Sequence, residues 1–116
     1  MPPDDERIER LERSLLDSML EYASSGHGGY SEAHVGRCGA VLDRYLKSIS
    51  VARDESAALE CVRVAVLELN ELNAETDHSL IETGEREALW EIISEAGARR
   101  GFFLGAEDVT EQWRDW

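Results

Sequence analysis

Residues 69–87, LNELNAETDHSLIETGERE, bring six carboxylates, one histidine and one arginine into a short stretch. Three chemistries could use such a set: binding of a divalent metal, proton transfer between paired carboxylates, and attraction of a cationic partner. Asn73, Glu75, Asp77 and Ser79 alternate as the ligands of an EF-hand loop do, but that loop needs glycine at its sixth position and a bidentate glutamate at its twelfth. His78 and Gly84 stand there instead. A carboxylate-bridged metal pair in a helical bundle needs two Glu-x-x-His motifs on different helices and two further glutamates. Glu75 and His78 supply one motif; His27 and His34 are preceded three residues earlier by Ser24 and Ser31, so the second is missing. One zinc ion could use a histidine and several carboxylates, but the spacing here is not diagnostic.

Hydrolytic chemistry finds no support either. No stretch reads as a nucleophile elbow, and SGHGG is not followed by the Lys and Ser/Thr of a phosphate-binding loop. His27 reads as a loop residue in water and His34 as helical surface. A carboxylate pair working as acid and base would need burial to raise one pKa, which spacing does not reveal. The balance is therefore against an enzyme, with no catalytic residue, metal ligand or cofactor expected; a metal-dependent enzyme is the third-ranked reading.

The charge pattern is more informative. Between Leu67 and Ala96 stand nine acids (Glu68, Glu71, Glu75, Asp77, Glu82, Glu85, Glu87, Glu91 and Glu95) and one base, Arg86. Glu87, Glu91 and Glu95 stack at i,i+4, where each like pair costs a helix about 0.2–0.5 kcal/mol. Glu68, Glu71 and Glu75 add a second row. If the two helices that bear these rows form a hairpin, both rows can line one strongly negative face. The whole chain has 25 acids against 12 bases, a net charge of −13. Such a surface repels nucleic acid and anionic lipid and favours basic proteins or plain solubility.

Elements that would position these residues follow from apolar periodicity. With 116 residues, 42% hydrophobic and 32% charged, residues 1–116 read as one globular domain able to bury a modest core. Prolines occur only at positions 2 and 3, so nothing breaks helices afterwards. A first helix is expected from about Asp5 to Ala23, capped by Asp4 or Asp5, with Ile8, Leu11, Leu15, Met19 and Tyr22 on one face. SSGHGG ends it. A second helix takes Ser31 as its N-cap, Tyr30 and Val35 as the apolar staple, and Val35, Cys38, Val41, Leu42, Tyr45, Leu46 and Ile49 as its buried face. Gly36, Gly39 and Ala40 suggest close packing against a neighbour.

A third helix, about Asp54 to Asn73, buries Ala58, Val62, Ala65, Val66, Leu69 and Leu72. Val64 and Leu67 fall on its opposite side, which makes it either central in the bundle or part of a subunit seam. The fourth begins near Thr83, with Ser79 and Glu82 as a competing capping box, and buries Ala88, Leu89, Ile92, Ile93 and Ala96. Arg99 and Arg100 suit its C-terminal end, and Gly101 can stop it. A short last helix is expected after FFLGA, with Asp108 and Glu111 at capping-box spacing and Trp113 and Trp116 clamping it to the core. The predicted class is all-α: a compact bundle of four main helices, the third central, plus a short C-terminal one.

No apolar run approaches the roughly 20 residues that a membrane helix needs, and MPPDDERIER lacks the basic start and apolar core of a secretion signal. The cytoplasm is the expected location, with Cys38 and Cys61 as reduced thiols. LNELN, LIETGERE and the closing DVTEQWRDW together resemble a group of small bacterial all-helical conserved proteins of unknown function, which share an LNxLN helix end, an LIET turn before a polar RE pair and a final acidic helix with tryptophan. The likeness spans about the second half of the chain, with Gly84 as a departure. It implies a small helical bacterial protein and no activity.

The expected role is a non-enzymatic interaction protein that meets a basic protein through Glu68, Glu71, Glu75, Asp77, Glu87, Glu91 and Glu95. An immunity or antitoxin protein shielding a basic nuclease would fit physically, as would a regulatory one. The alternative is a homodimer with Val64 and Leu67 in its seam and the acids serving solubility.

Overall fold

In the computed structural model, which describes residues 3–26, 29–105 and 108–116, four helices follow one another: α1 (Pro3–Ser24), α2 (Glu32–Ser50), α3 (Glu55–Glu75) and α4 (Thr83–Ala98). No strand occurs among the described residues. Pro3 opens α1, where its missing N–H costs nothing. Asp4 and Asp5 therefore lie inside the helix instead of capping it; their side chains fall outside the described residues, as does His27. Ile8, Leu15 and Met19 are buried as expected, whereas Tyr22 is 48% exposed at the end of the face.

Ser31 caps α2, and the Ser31 N–H donates to Nδ1 of His34 at 3.0 Å. His34 thus takes the part usually played by Glu or Gln three residues into a helix, and is more than surface. Of the two glycines read as close-packing positions, only Gly39 serves: a Cβ there would meet Leu16 of α1 at 3.2 Å, while Gly36 faces open space. Asp54 caps α3 by accepting from the Ala57 N–H at 2.8 Å. Of the two starts considered for α4, Thr83 is the observed one; the Glu82 N–H donates to Oε1 of Glu85 at 3.0 Å. Around Gly101 (φ 85°) the Phe102 and Gly101 N–H groups donate to Gly97 and Ala98 carbonyls, both at 2.9 Å, which closes α4. Arg100 does not serve its own helix end. It donates to the Ile49 and Ala52 carbonyls (2.6 and 2.9 Å) and so caps α2.

The central helix is α2, not α3. It lies against each of the other three, α3 most extensively, and α1 in turn packs on α4. Buried residues on α2, from Val35 to Ile49, sweep an arc of about 160°, against about 120° for those of α3 at 100° per residue. The second apolar side of α3 stays partly open: Val64, 44% exposed, borders the groove between α2 and α3, and Leu67 is 39% exposed. Tyr45 ties α2 to α4 by donating to the Ile93 carbonyl at 2.7 Å.

Among the described residues no fifth helix forms. Residues 108–116 make turns: Asp108 Oδ1 accepts from the Thr110 N–H at 2.9 Å, and the Trp113 and Arg114 N–H groups both donate to the Thr110 carbonyl. Nine residues provide too few i→i−4 bonds to offset helix nucleation, and Asn70 offers the last peptides a competing partner. Its Nδ2 donates to the Trp113 carbonyl and its Oδ1 accepts from the Asp115 N–H, each at 2.8 Å. Trp113 and Trp116 still pack partly buried on the core. No helix is long and apolar enough to cross a membrane among the described residues.

Candidate functional site

The acidic residues singled out by sequence divide between two seams. On α3, Glu75 accepts a two-pronged pair from Arg37 of α2 (3.0 and 2.6 Å), and Glu68 is paired with Arg44, also on α2. The Arg37 guanidinium holds the Glu75 carboxyl below the usual carboxylate range. Glu71 is exposed in the same α2–α3 groove, close enough for its charge to act on Arg37. On α4, Glu91 and Glu95 both meet Arg7 of α1, each at 2.7 Å, and Glu87 is exposed one turn before them. One row therefore belongs to the α2–α3 seam and the other to the α1–α4 seam. The single negative wall expected from a helix hairpin does not form, because α3 and α4 pack mainly on α2 and α1 and not on each other. Arginines from those neighbours occupy much of the negative charge.

The turn between α3 and α4 is built by neutral residues. Asn73, 1% exposed, accepts from the Ile81 N–H through Oδ1 at 2.9 Å, and its carbonyl accepts from the Thr76 hydroxyl and the His78 N–H. Thr76, also buried, accepts from the Leu80 N–H at 3.2 Å. Asp77 and His78 both take left-handed backbone conformations (φ 57° and 63°); both are exposed, and the His78 ring Nδ1 lies 3.5 Å from Nδ2 of Asn73. Glu75 and His78 gather no third ligand, and no group of three or more His, Cys, Asp or Glu side chains suited to a metal occurs among the described residues. The signal for Asn73 was present in the sequence: an asparagine one position after Leu72, on the buried stripe of α3, where its poor helix propensity needs a reason.

Sequence reasoning missed a cleft of about 350 Å³ at one end of the bundle. Ser18, Glu21 and Tyr22 of α1 form one wall, Tyr30 ahead of α2 forms another, and Ser79, Glu82 and Glu85 close it at the start of α4. The Tyr22 and Tyr30 rings lie 6.0 Å apart, tilted by 32°. Burial, and then the Glu85 carboxylate, push the Tyr30 phenol up to about 12, so it stays a neutral donor at physiological pH. Glu85 is held in place by the Glu82 N–H. Among the described residues, no lysine or arginine lines this cleft, in contrast to the grooves beside Arg37, Arg44 and Arg7. Glu82 and Glu85 were visible in the sequence, but as part of a row; the residues that meet them, Ser18, Glu21, Tyr22 and Tyr30, are more than fifty positions away.

The two cysteines are free. Burial raises both thiols, Cys38 to about 12; Cys38 is fully buried, whereas Cys61 is only partly so. No protein-family model matches the chain, and no curated protein or solved structure matches it either. The residues behind the bacterial resemblance have structural work here: Asn70 and Asn73 of LNELN pin the C-terminal segment and the α3–α4 turn.

Proposed function

We propose that this chain is a non-enzymatic interaction protein that binds a basic protein, with the Tyr22–Tyr30 cleft receiving a lysine or arginine side chain of that partner. The observation behind this reading is the cleft itself: three carboxylates and two aromatic rings around a space with no cationic side chain of its own among the described residues. Carboxylates attract an ammonium or guanidinium group, and ring faces add about 0.5–2 kcal/mol when the cation is partly desolvated. The negative charge of the whole molecule, −13, would speed encounter with a basic surface. Glu68, Glu71, Glu75, Asp77, Glu87, Glu91 and Glu95 then contribute to the long-range field, with Glu71, Asp77 and Glu87 the more available of them.

An amide NMR titration with an acetylated hexa-arginine peptide tests the proposal. Shifts are expected to cluster at Tyr22, Tyr30, Glu82 and Glu85. Reversing Glu82 and Glu85 to lysine should weaken binding about tenfold or more, because two charge contacts are lost and reversed. Glu21→Lys, away from the α4 cap, is a second variant with the same expected direction. Glu87→Lys should leave affinity nearly unchanged. Shifts centred on the α3 or α4 rows, or equal loss with Glu87→Lys, would sink the cleft as the site.

The dimer reading keeps one favourable observation, the exposure of Val64 and Leu67. Those two residues sit between Glu60 and Glu71 on the outer side of α3. A two-fold pairing of this stripe sets Glu60 against Glu71 if antiparallel, or each glutamate against its own copy if parallel. Either arrangement opposes like charges, with Glu60 already engaged by Arg63 of the same helix at 2.5 Å. Light scattering at micromolar concentration is expected to report monomer; a concentration-dependent dimer abolished by Leu67→Glu would restore the seam.

A further inference from the structure

We propose that the cation this cleft selects is a guanidinium, so that the partner enters through an arginine and not a lysine; the inference rests on the cleft being the docking site. Tyr22 comes from α1 and Tyr30 from the segment before α2, and their ring centroids lie 6.0 Å apart with planes only 32° from parallel. Two ring faces that enclose a cation must each stand about 3.5 Å from it, or about 7 Å from each other. The tyrosine pair is closer than that, so no cation fits between its rings. A bound cation must lie against an outer ring face instead, and Tyr22, 48% exposed, offers one.

A planar cation and a round one fare differently on a single face. Guanidinium can stack flat on the ring while its N–H groups diverge in its own plane toward carboxylates at the rim. An ammonium group is compact and strongly hydrated, and it gains less from one ring than from several that enclose it. The rim has carboxylates on two walls. Glu21 stands one residue before Tyr22 on α1, and Glu82 and Glu85 lie across the cleft at the start of α4. Glu85 is oriented by the bond that its Oε1 accepts from the Glu82 N–H at 3.0 Å. Acceptors on opposite walls suit donors that spread from one planar group. The volume, about 350 Å³, is at the small end of the ~300–1,000 Å³ range of ligand pockets, which suits one long side chain.

Calorimetric titration of the intact chain with acetylated hexa-arginine and hexa-lysine peptides, at equal ionic strength, tests the preference. The arginine peptide should bind about fivefold tighter or more, and ring currents should move its Cδ proton resonances upfield. Tyr22→Leu should bring the affinity ratio close to one, whereas Tyr22→Phe, which keeps the ring, should preserve it. A ratio that Tyr22→Leu leaves intact would refute stacking on this ring. Equal affinities, with amide shifts for both peptides centred on Tyr22, Tyr30, Glu82 and Glu85, would overturn the guanidinium preference yet leave the cleft as a cation site. Shifts centred elsewhere for both peptides would remove the cleft itself, and this inference with it. A hexa-lysine peptide trimethylated at its ammonium groups should bind more weakly than hexa-arginine; tighter binding would mean an enclosing cage and contradict the one-sided stack.

Discussion

Asn73→Ala is expected to lower folding stability by about 2–3 kcal/mol, read as a reduced urea midpoint without a change in slope. The side chain is 1% exposed, and its Oδ1 is the acceptor for the Ile81 N–H, itself a buried group at the α3–α4 turn. Alanine keeps the helix but leaves that N–H with neither water nor a partner. It also opens a small space beneath Leu80 and Ile81, both of which are buried. The same turn contains Asp77 and His78 at positive φ, a conformation unfavourable to most side chains and tolerated because its surroundings hold it. Loss of the Asn73 anchor should therefore raise amide exchange at residues 76–81 before it does so in α2. If stability were unchanged and exchange uniform, the turn would owe its shape to something other than this asparagine.

Gly97→Val should cost about 3 kcal/mol, for a different reason. A Cβ at position 97 would fall 2.2 Å from two ring carbons of Phe103, well inside contact distance. Phe103 is buried and held at φ 63° directly after the close of α4, so its ring has little freedom to retreat. Overpacking of this kind costs about 1–3 kcal/mol, and the branched side chain adds lost rotamer freedom. Phe103→Ala in the same chain should recover part of the loss, giving a coupling energy that separates this clash from a general helix effect. Gly36→Ala is the natural contrast. With nothing within 4 Å of its added carbon, it should stabilise α2 by about 0.5–1 kcal/mol. Equal effects at both glycines would contradict the packing described for α4.

The four main helices, their spans and their core faces were largely legible. The stripe Ala58, Val62, Ala65, Val66, Leu69 and Leu72 is buried throughout, and Asp54, Ser31 and Gly101 begin or end the helices for which their side chains or backbone suit them. These are local properties, set by a 3.6-residue period and by end groups within one turn. Arg100 shows where local reasoning stops. Its place in sequence suits the C-terminus of α4, yet it caps α2 nearly fifty residues earlier. The closing segment is a second case: capping residues and tryptophans were present, but Asn70 draws its final peptides away from a helix.

The acidic stretch divides along the same line. Sequence by itself determined that the chain is all-helical, strongly negative and poor in catalytic or metal-binding spacing, because composition and periodicity need no knowledge of neighbours. Which acids are available was decided only by tertiary structure. Arg7, Arg37 and Arg44 reach Glu91, Glu95, Glu75 and Glu68 across seams between helices distant in sequence, while Glu21, Glu82 and Glu85 converge on two tyrosines with no cation lining their cleft among the described residues. The order in which helices pack depends on how wide an apolar arc each one buries and on long-range complementarity among all of them. Charge can be counted along a chain, but whether it is paired depends on which helix comes to lie beside it.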